Sequence, residues 1–121
     1  MPDVKKAHCP APGAVVGACR KYFAEARPRS PARAGADLIA EGVGLIAEAR
    51  QDAPKLVALC RQRYPHFGAG ISTHVPAAVR EQARQLRRAR AFASLQEIYL
   101  EAILRSLVKR GLMSADLEVP R

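Results

Sequence analysis

The chain has 121 residues, with 20 Lys and Arg against 11 Asp and Glu, which leaves a net charge of +9. Apolar residues make up 49% and Trp is absent. That is enough for a modest core, too much for a wholly disordered chain, and too short a chain for a many-loop catalytic scaffold. The odd set Cys9, Cys19 and Cys60 cannot form a fully paired disulfide framework, which points to a reducing, cytoplasmic compartment.

The excess of positive charge selects polyanions as partners, with nucleic acid ahead of an anionic membrane surface. No stretch reaches the ~20 apolar residues that cross a bilayer. Residues 1–33 hold Pro2, Pro10, Pro12, Pro28 and Pro31, and also Lys5, Lys6, Arg20, Lys21, Arg27, Arg29 and Arg33. Proline interrupts regular hydrogen bonding and like charges repel, so 1–32 read as a basic, Pro-rich arm, partly irregular, with room for a short helix over 15–26. Val15-Val16-Gly17-Ala18-Cys19 resembles a lipoprotein cleavage site, but His8, Cys9, Pro10 and Pro12 break the apolar run that export needs.

Residues 33–64 read as an α-helical hairpin. Leu38, Ile39, Val43 and Ile46 follow the helical period, and Asp37, Glu41, Glu48 and Asp52 line another face. That acidic stripe is an exposed helix face, or a docking surface for a basic partner or for the arm. Asp52 is the expected N-cap of the second helix, which stops at Tyr64 before Pro65.

After the hinge at 66–70, Ile71-Ser72-Thr73-His74-Val75 alternates apolar and polar residues with β-branching, the mark of a strand. Pro76 then opens a helix to Arg90. Ser94-Leu95-Gln96-Glu97 has the capping-box form and starts a last helix that ends before Gly111. Residues 112–121 read as a flexible tail.

The last helix is apolar over most of its circumference. One stripe is Leu95, Ile98, Tyr99, Ala102, Ile103 and Leu107; another is Leu100, Leu104 and Val108. Such a helix must be covered on most sides, and a lone strand needs a partner for its backbone groups. A homodimer that pairs strand to strand and packs last helix on last helix satisfies both needs; the alternative is docking on 33–63.

Strand, proline-started helix, short turn and Ser-capped apolar helix, over Gly70-Ile-Ser-Thr-His-Val-Pro76 and Phe92-Ala-Ser-Leu-Gln-Glu-Ile98, resemble the ribbon-helix-helix (MetJ/Arc-type) DNA-binding family across about 70–111. The resemblance implies a mainly α fold: a ribbon-helix-helix module of one strand and two helices, preceded by the hairpin and the arm. It implies a homodimer with a core of Ile71, Thr73, Val75, Leu95, Ile98, Tyr99, Ala102, Ile103 and Leu107. Two such strands make a ribbon that fits the major groove of double-stranded DNA. Ser72 and His74 would then meet base edges. Ser94 and Leu95 would offer backbone N–H groups to a phosphate, with Arg87, Arg88 and Arg90 beside them.

The outward strand face departs from the family pattern. It holds no Arg, Lys, Asn or Gln, so it offers no bidentate guanine readout. The expected function is a homodimeric sequence-specific DNA-binding protein, a transcriptional repressor that can assemble to higher order on DNA. The alternatives are a plasmid partition or conjugative relaxosome accessory protein, or a helical protein–protein interaction module in which 71–75 is only a linker. The hairpin could hold a protein partner. No cofactor, metal or enzymatic chemistry is expected, since there is no C-x-x-C pair, paired-carboxylate site or phosphate-binding loop.

Overall fold

The computed structural model describes residues 4–119. Its elements run β1 Val4–Ala11, α1 Gly13–Glu25, α2 Pro31–Glu48, α3 Leu56–Arg63, β2 Ala69–Pro76, α4 Ala77–Ala89 and α5 Leu95–Lys109. The protein is mainly helical, with a small two-stranded antiparallel sheet of β1 and β2. Residues 1–3 of the expected arm and 120–121 of the expected tail lie outside the described residues.

The sheet corrects the reading of the arm. Residues 4–11 form a full strand, and 13–25 a helix slightly earlier than the expected 15–26. Pro10 is tolerated because each strand of a two-stranded ribbon has one edge free of ladder bonds. Pro12, extended and just outside α1, starts that helix, as Pro76 starts α4.

The chain contains the same β-α-α unit twice. A shift of 64 residues carries Pro12 onto Pro76, α1 onto α4, and Ser30 onto Ser94. Both strands have 8 residues and both first helices 13. Both serines cap their helix in the same way: Ser30 Oγ accepts from the Arg33 N–H, and Ser94 Oγ from the Glu97 N–H. The strand register places His8 opposite Ser72. These two residues are themselves 64 apart, so an approximate two-fold axis passes between them.

The same axis relates α2 to α5, which pack on one another and on the inner face of the ribbon. Gly42 lies against the backbone of Ala102. At the equivalent place, Ser106 Oγ donates to the Leu38 carbonyl at 2.6 Å. Both helices run at close quarters there because one has no side chain and the other a small one that returns a hydrogen bond. Leu38, Ile39 and Val43 from one half meet Ile98, Ile103 and Leu107 from the other in a fully buried core.

The nine residues expected at an interface between two copies therefore serve within one chain. Eight are buried, and Leu95 is half-buried. Of the two ways to cover α5, docking on the 33–63 region is the one realised, through α2. β2 finds its partner in β1 of the same chain, so the expected pairing with a second copy is replaced.

The α-helical hairpin of 33–64 is corrected in two respects. α3 starts at Leu56 rather than after Asp52, whose carboxylate instead meets Arg50 at 3.2 Å. α3 also packs on α5 instead of folding back on α2. Its N-terminal amides are capped from a distance: Glu101, fully buried on α5, accepts from the Leu56 N–H at 3.0 Å and the Val57 N–H at 2.9 Å. The tail is docked at least as far as Leu117. Met113 and Leu117 are buried, and the Tyr64 hydroxyl donates to the Leu117 carbonyl at 2.7 Å. Their apolar side chains gain more from burial than the short loop loses in freedom.

Candidate nucleic-acid interface

One face of the ribbon is covered by α2 and α5, and the other is open. On β2, Ile71, Thr73 and Val75 are buried while Ser72 and His74 are exposed. β1 alternates in register: Cys9 and Ala11 face inward, Lys6 and His8 outward. Directly opposed residues share a face, so the open face carries the pairs Lys6–His74, His8–Ser72 and Pro10–Gly70.

His8 Nδ1 and Ser72 Oγ share a hydrogen bond of 3.2 Å. The His8 ring lies over Gly70, where any Cβ would collide with it. Lys6, His8, Ser72 and His74 also border a shallow cavity of about 460 Å³ closed at one side by Ala32. Comparison with protein-family models, curated proteins and solved structures finds no match to this chain.

The starts of the two second helices flank the ribbon. At α5, the Gln96 side chain donates to the His8 carbonyl at 3.2 Å, which ties the helix start to β1. At α2, Ala32 stands beside β2 across the axis. The cap at Ser94 forms half of the expected capping box: the serine receives its bond from Glu97, but the Glu97 carboxylate turns to Arg61 at 3.1 Å.

The arginines expected to touch phosphate divide into three cases. Arg88 is exposed. Arg87 donates to the Ala93 carbonyl at 3.2 Å, next to the start of α5, and is otherwise exposed. Arg90 is committed elsewhere. It is half-buried and donates to the Ala49 and Ala47 carbonyls at 2.9 and 3.2 Å, where a cation offsets the negative end of α2.

Sequence reasoning missed Lys6 and His8, because β1 was hidden among prolines. It placed Arg20, Arg27 and Arg29 in a basic arm, and the structure gathers them around a cleft of about 670 Å³ at the start of α2. The available signal was the distance from Pro12 to Ser30, which is the same as that from Pro76 to Ser94. The acidic stripe is largely engaged within the chain: Asp37 pairs with Arg29 at 3.0 Å and Glu41 with Arg110 at 2.7 Å.

Burial pushes the thiols of Cys9 and Cys19 up to about 12 and that of Cys60 to about 11. They stay protonated at neutral pH, which suits packing and not thiolate chemistry. Among the described residues, no group of three His, Cys, Asp or Glu side chains is placed to hold a metal ion. No described helix is long and apolar enough to cross a membrane.

Proposed function

We propose that this protein binds double-stranded DNA through the open face of the β1–β2 ribbon, acting as a ribbon-helix-helix module built from one chain. It would repress transcription by occupying an operator. The observation that carries this reading is the ribbon itself. It is a paired, solvent-facing strand couple with Lys6, His8, Ser72 and His74 outward, flanked on both sides by Ser-capped helix starts. Such a ribbon has the width of a major groove. Helix starts beside it offer N–H groups to the phosphates on either rim.

Electrostatics supports the same reading. The chain carries +9, and exposed Arg27, Arg33, Arg87 and Arg88 stand near the flanking helix starts. A bundle in which 71–75 is a linker is disfavoured, because those residues are paired over their whole length.

The test is a gel-shift titration with random-sequence duplex at several salt concentrations. Binding through phosphates gives a log K that falls linearly with log salt. Arg88→Ala should weaken binding evenly across sequences, whereas Ser72→Ala or His74→Ala should reduce discrimination between them. Absence of any shift at low salt overturns the proposal.

A further inference from the structure

We infer that one copy of this chain fills a DNA site alone and reads it unsymmetrically, so that the preferred duplex is not a palindrome. The inference rests on the DNA-binding reading above and adds the kind of site that is read.

When two identical strands pair across a two-fold axis, the same side chains stand at both ends of the ribbon. The sites of such dimers mirror that symmetry. Here the axis is approximate and both strands come from one chain, so the two ends differ. One end carries the opposed pair Lys6 and His74, both exposed and both able to donate hydrogen bonds. The other carries Pro10 and Gly70, which have no side-chain donor or acceptor. Between them His8 bonds Ser72, and its ring leans over Gly70 in the space a side chain would fill. Polar reach therefore runs from the Lys6 end to the His8 ring and stops there.

The flanks differ as well. The start of α5 holds no proline, so its cap residue Ser94 and its first residue Leu95 both carry a backbone N–H. The start of α2 has Pro31 in its first turn, which lacks an N–H, beside an arginine-lined cleft. The α5 rim therefore has one amide more to offer a phosphate than the α2 rim, where Arg20 and Arg27 stand exposed in the cleft. Base identity is then fixed over the centre and one half of the footprint, and the remaining half is held by its backbone.

The experiment selects duplexes from a randomised pool with the full chain and measures chains per bound duplex by sedimentation with a labelled fragment. The expected result is one chain per duplex and a motif with no inverted repeat. With Lys6→Ala/His74→Ala, preference should relax about tenfold on one side of the motif centre and stay unchanged on the other, the size of one or two base contacts. Two chains on a palindromic motif, equal relaxation on both sides, or binding without base preference would each overturn the inference while leaving DNA binding intact. Failure to bind any duplex at low salt overturns the DNA-binding reading itself.

Discussion

Gly42 on α2 lies so close to Ala102 on α5 that a Cβ at Gly42 would overlap the Ala102 carbonyl. The obstacle is backbone, which cannot turn aside as a side chain can. Gly42→Ala should push the two helices apart and cost about 3 kcal/mol or more, at the upper end of overpacking changes. Gly44, two residues on in the same helix, has open space around its Cβ position. Gly44→Ala should therefore stabilise by up to about 1 kcal/mol through helix propensity alone. Urea unfolding of both variants checks the pair. Equal effects would mean that the close crossing of α2 and α5 is not what holds the two halves together.

Glu101 is a buried charge that links three elements. Its carboxylate accepts from the Leu56 and Val57 N–H groups and from Arg105 Nε at 2.9 Å. Glu101→Ala leaves two helix-start amides and a half-buried guanidinium without their acceptor, and should cost about 3–5 kcal/mol. Replacing the ion pair by Glu101→Leu/Arg105→Leu removes the stranded cation but still uncaps α3. Recovery in the double variant should therefore be partial. Full recovery, measured by urea unfolding, would show that the amides of α3 do not depend on Glu101.

How much of this was legible in the sequence follows from where local signals agree with tertiary ones. Residues 71–75 have β-branching, strict alternation and a terminating proline, and all three point to the observed β2. Ser94 is a cap by its own chemistry wherever α5 packs, and Gly111 adopts the left-handed conformation expected just past a helix end. β1 carries opposing signals. Its Lys6-Ala7-His8-Cys9 alternation is flanked by prolines, and its partner lies 64 residues away, beyond any local pattern.

The duplication stayed hidden for a related reason. Only six of the 45 residue pairs that the 64-residue shift makes between 4–48 and 68–112 are identical, among them Pro12/Pro76, Ser30/Ser94 and Ile39/Ile103. The two halves pack on each other and not on copies of themselves. A large residue in one is therefore matched by a small one in the other, as at Leu38 and Ala102, or at Gly35 and Tyr99. Complementarity across the axis erases the sequence repeat while keeping the backbone repeat. Only the β2 half of the open face, Ser72 and His74, could be foreseen, because the other half belongs to a strand that reads locally as an arm.

Ala91 marks a place where the chain departs from the usual helix ending. It follows α4 with φ of 55°, and the Phe92 N–H bonds back to the Arg87 carbonyl at 3.0 Å, the closing bond of a left-handed helix cap. Gly111 fills the equivalent role after α5 with φ of 74°. Alanine in this region has its Cβ against a carbonyl, which glycine avoids. Ala91→Gly should raise stability by about 1 kcal/mol. Thermal unfolding would reveal it as a higher midpoint, and a lower midpoint would mean that the turn before Ser94 is not strained.

The buried thiols set the response to alkali. Cys9 and Cys19 are held up to about 12 and Cys60 to about 11, mainly by desolvation, against an ordinary value of 9.0. Burial raises the Tyr99 phenol in the same direction. Above pH 9 the unfolded chain releases these protons while the folded one keeps them. The unfolded state then binds fewer protons, and stability falls as pH rises. The contribution is fully present below pH 9 and is lost progressively as pH climbs through the folded values near 11–12. Each thiol adds about 1.4 kcal/mol per pH unit to the slope in that window. The urea midpoint should hold steady from pH 7 to about 8.5 and drop above 9, with a shallower drop in Cys9→Ala/Cys19→Ala. At pH 8 iodoacetamide should leave all three cysteines unmodified until urea opens the fold, because the thiolate is the reacting species. Rapid labelling of the native chain, or a midpoint indifferent to alkali, would place these side chains in contact with solvent instead of in the core beneath the ribbon.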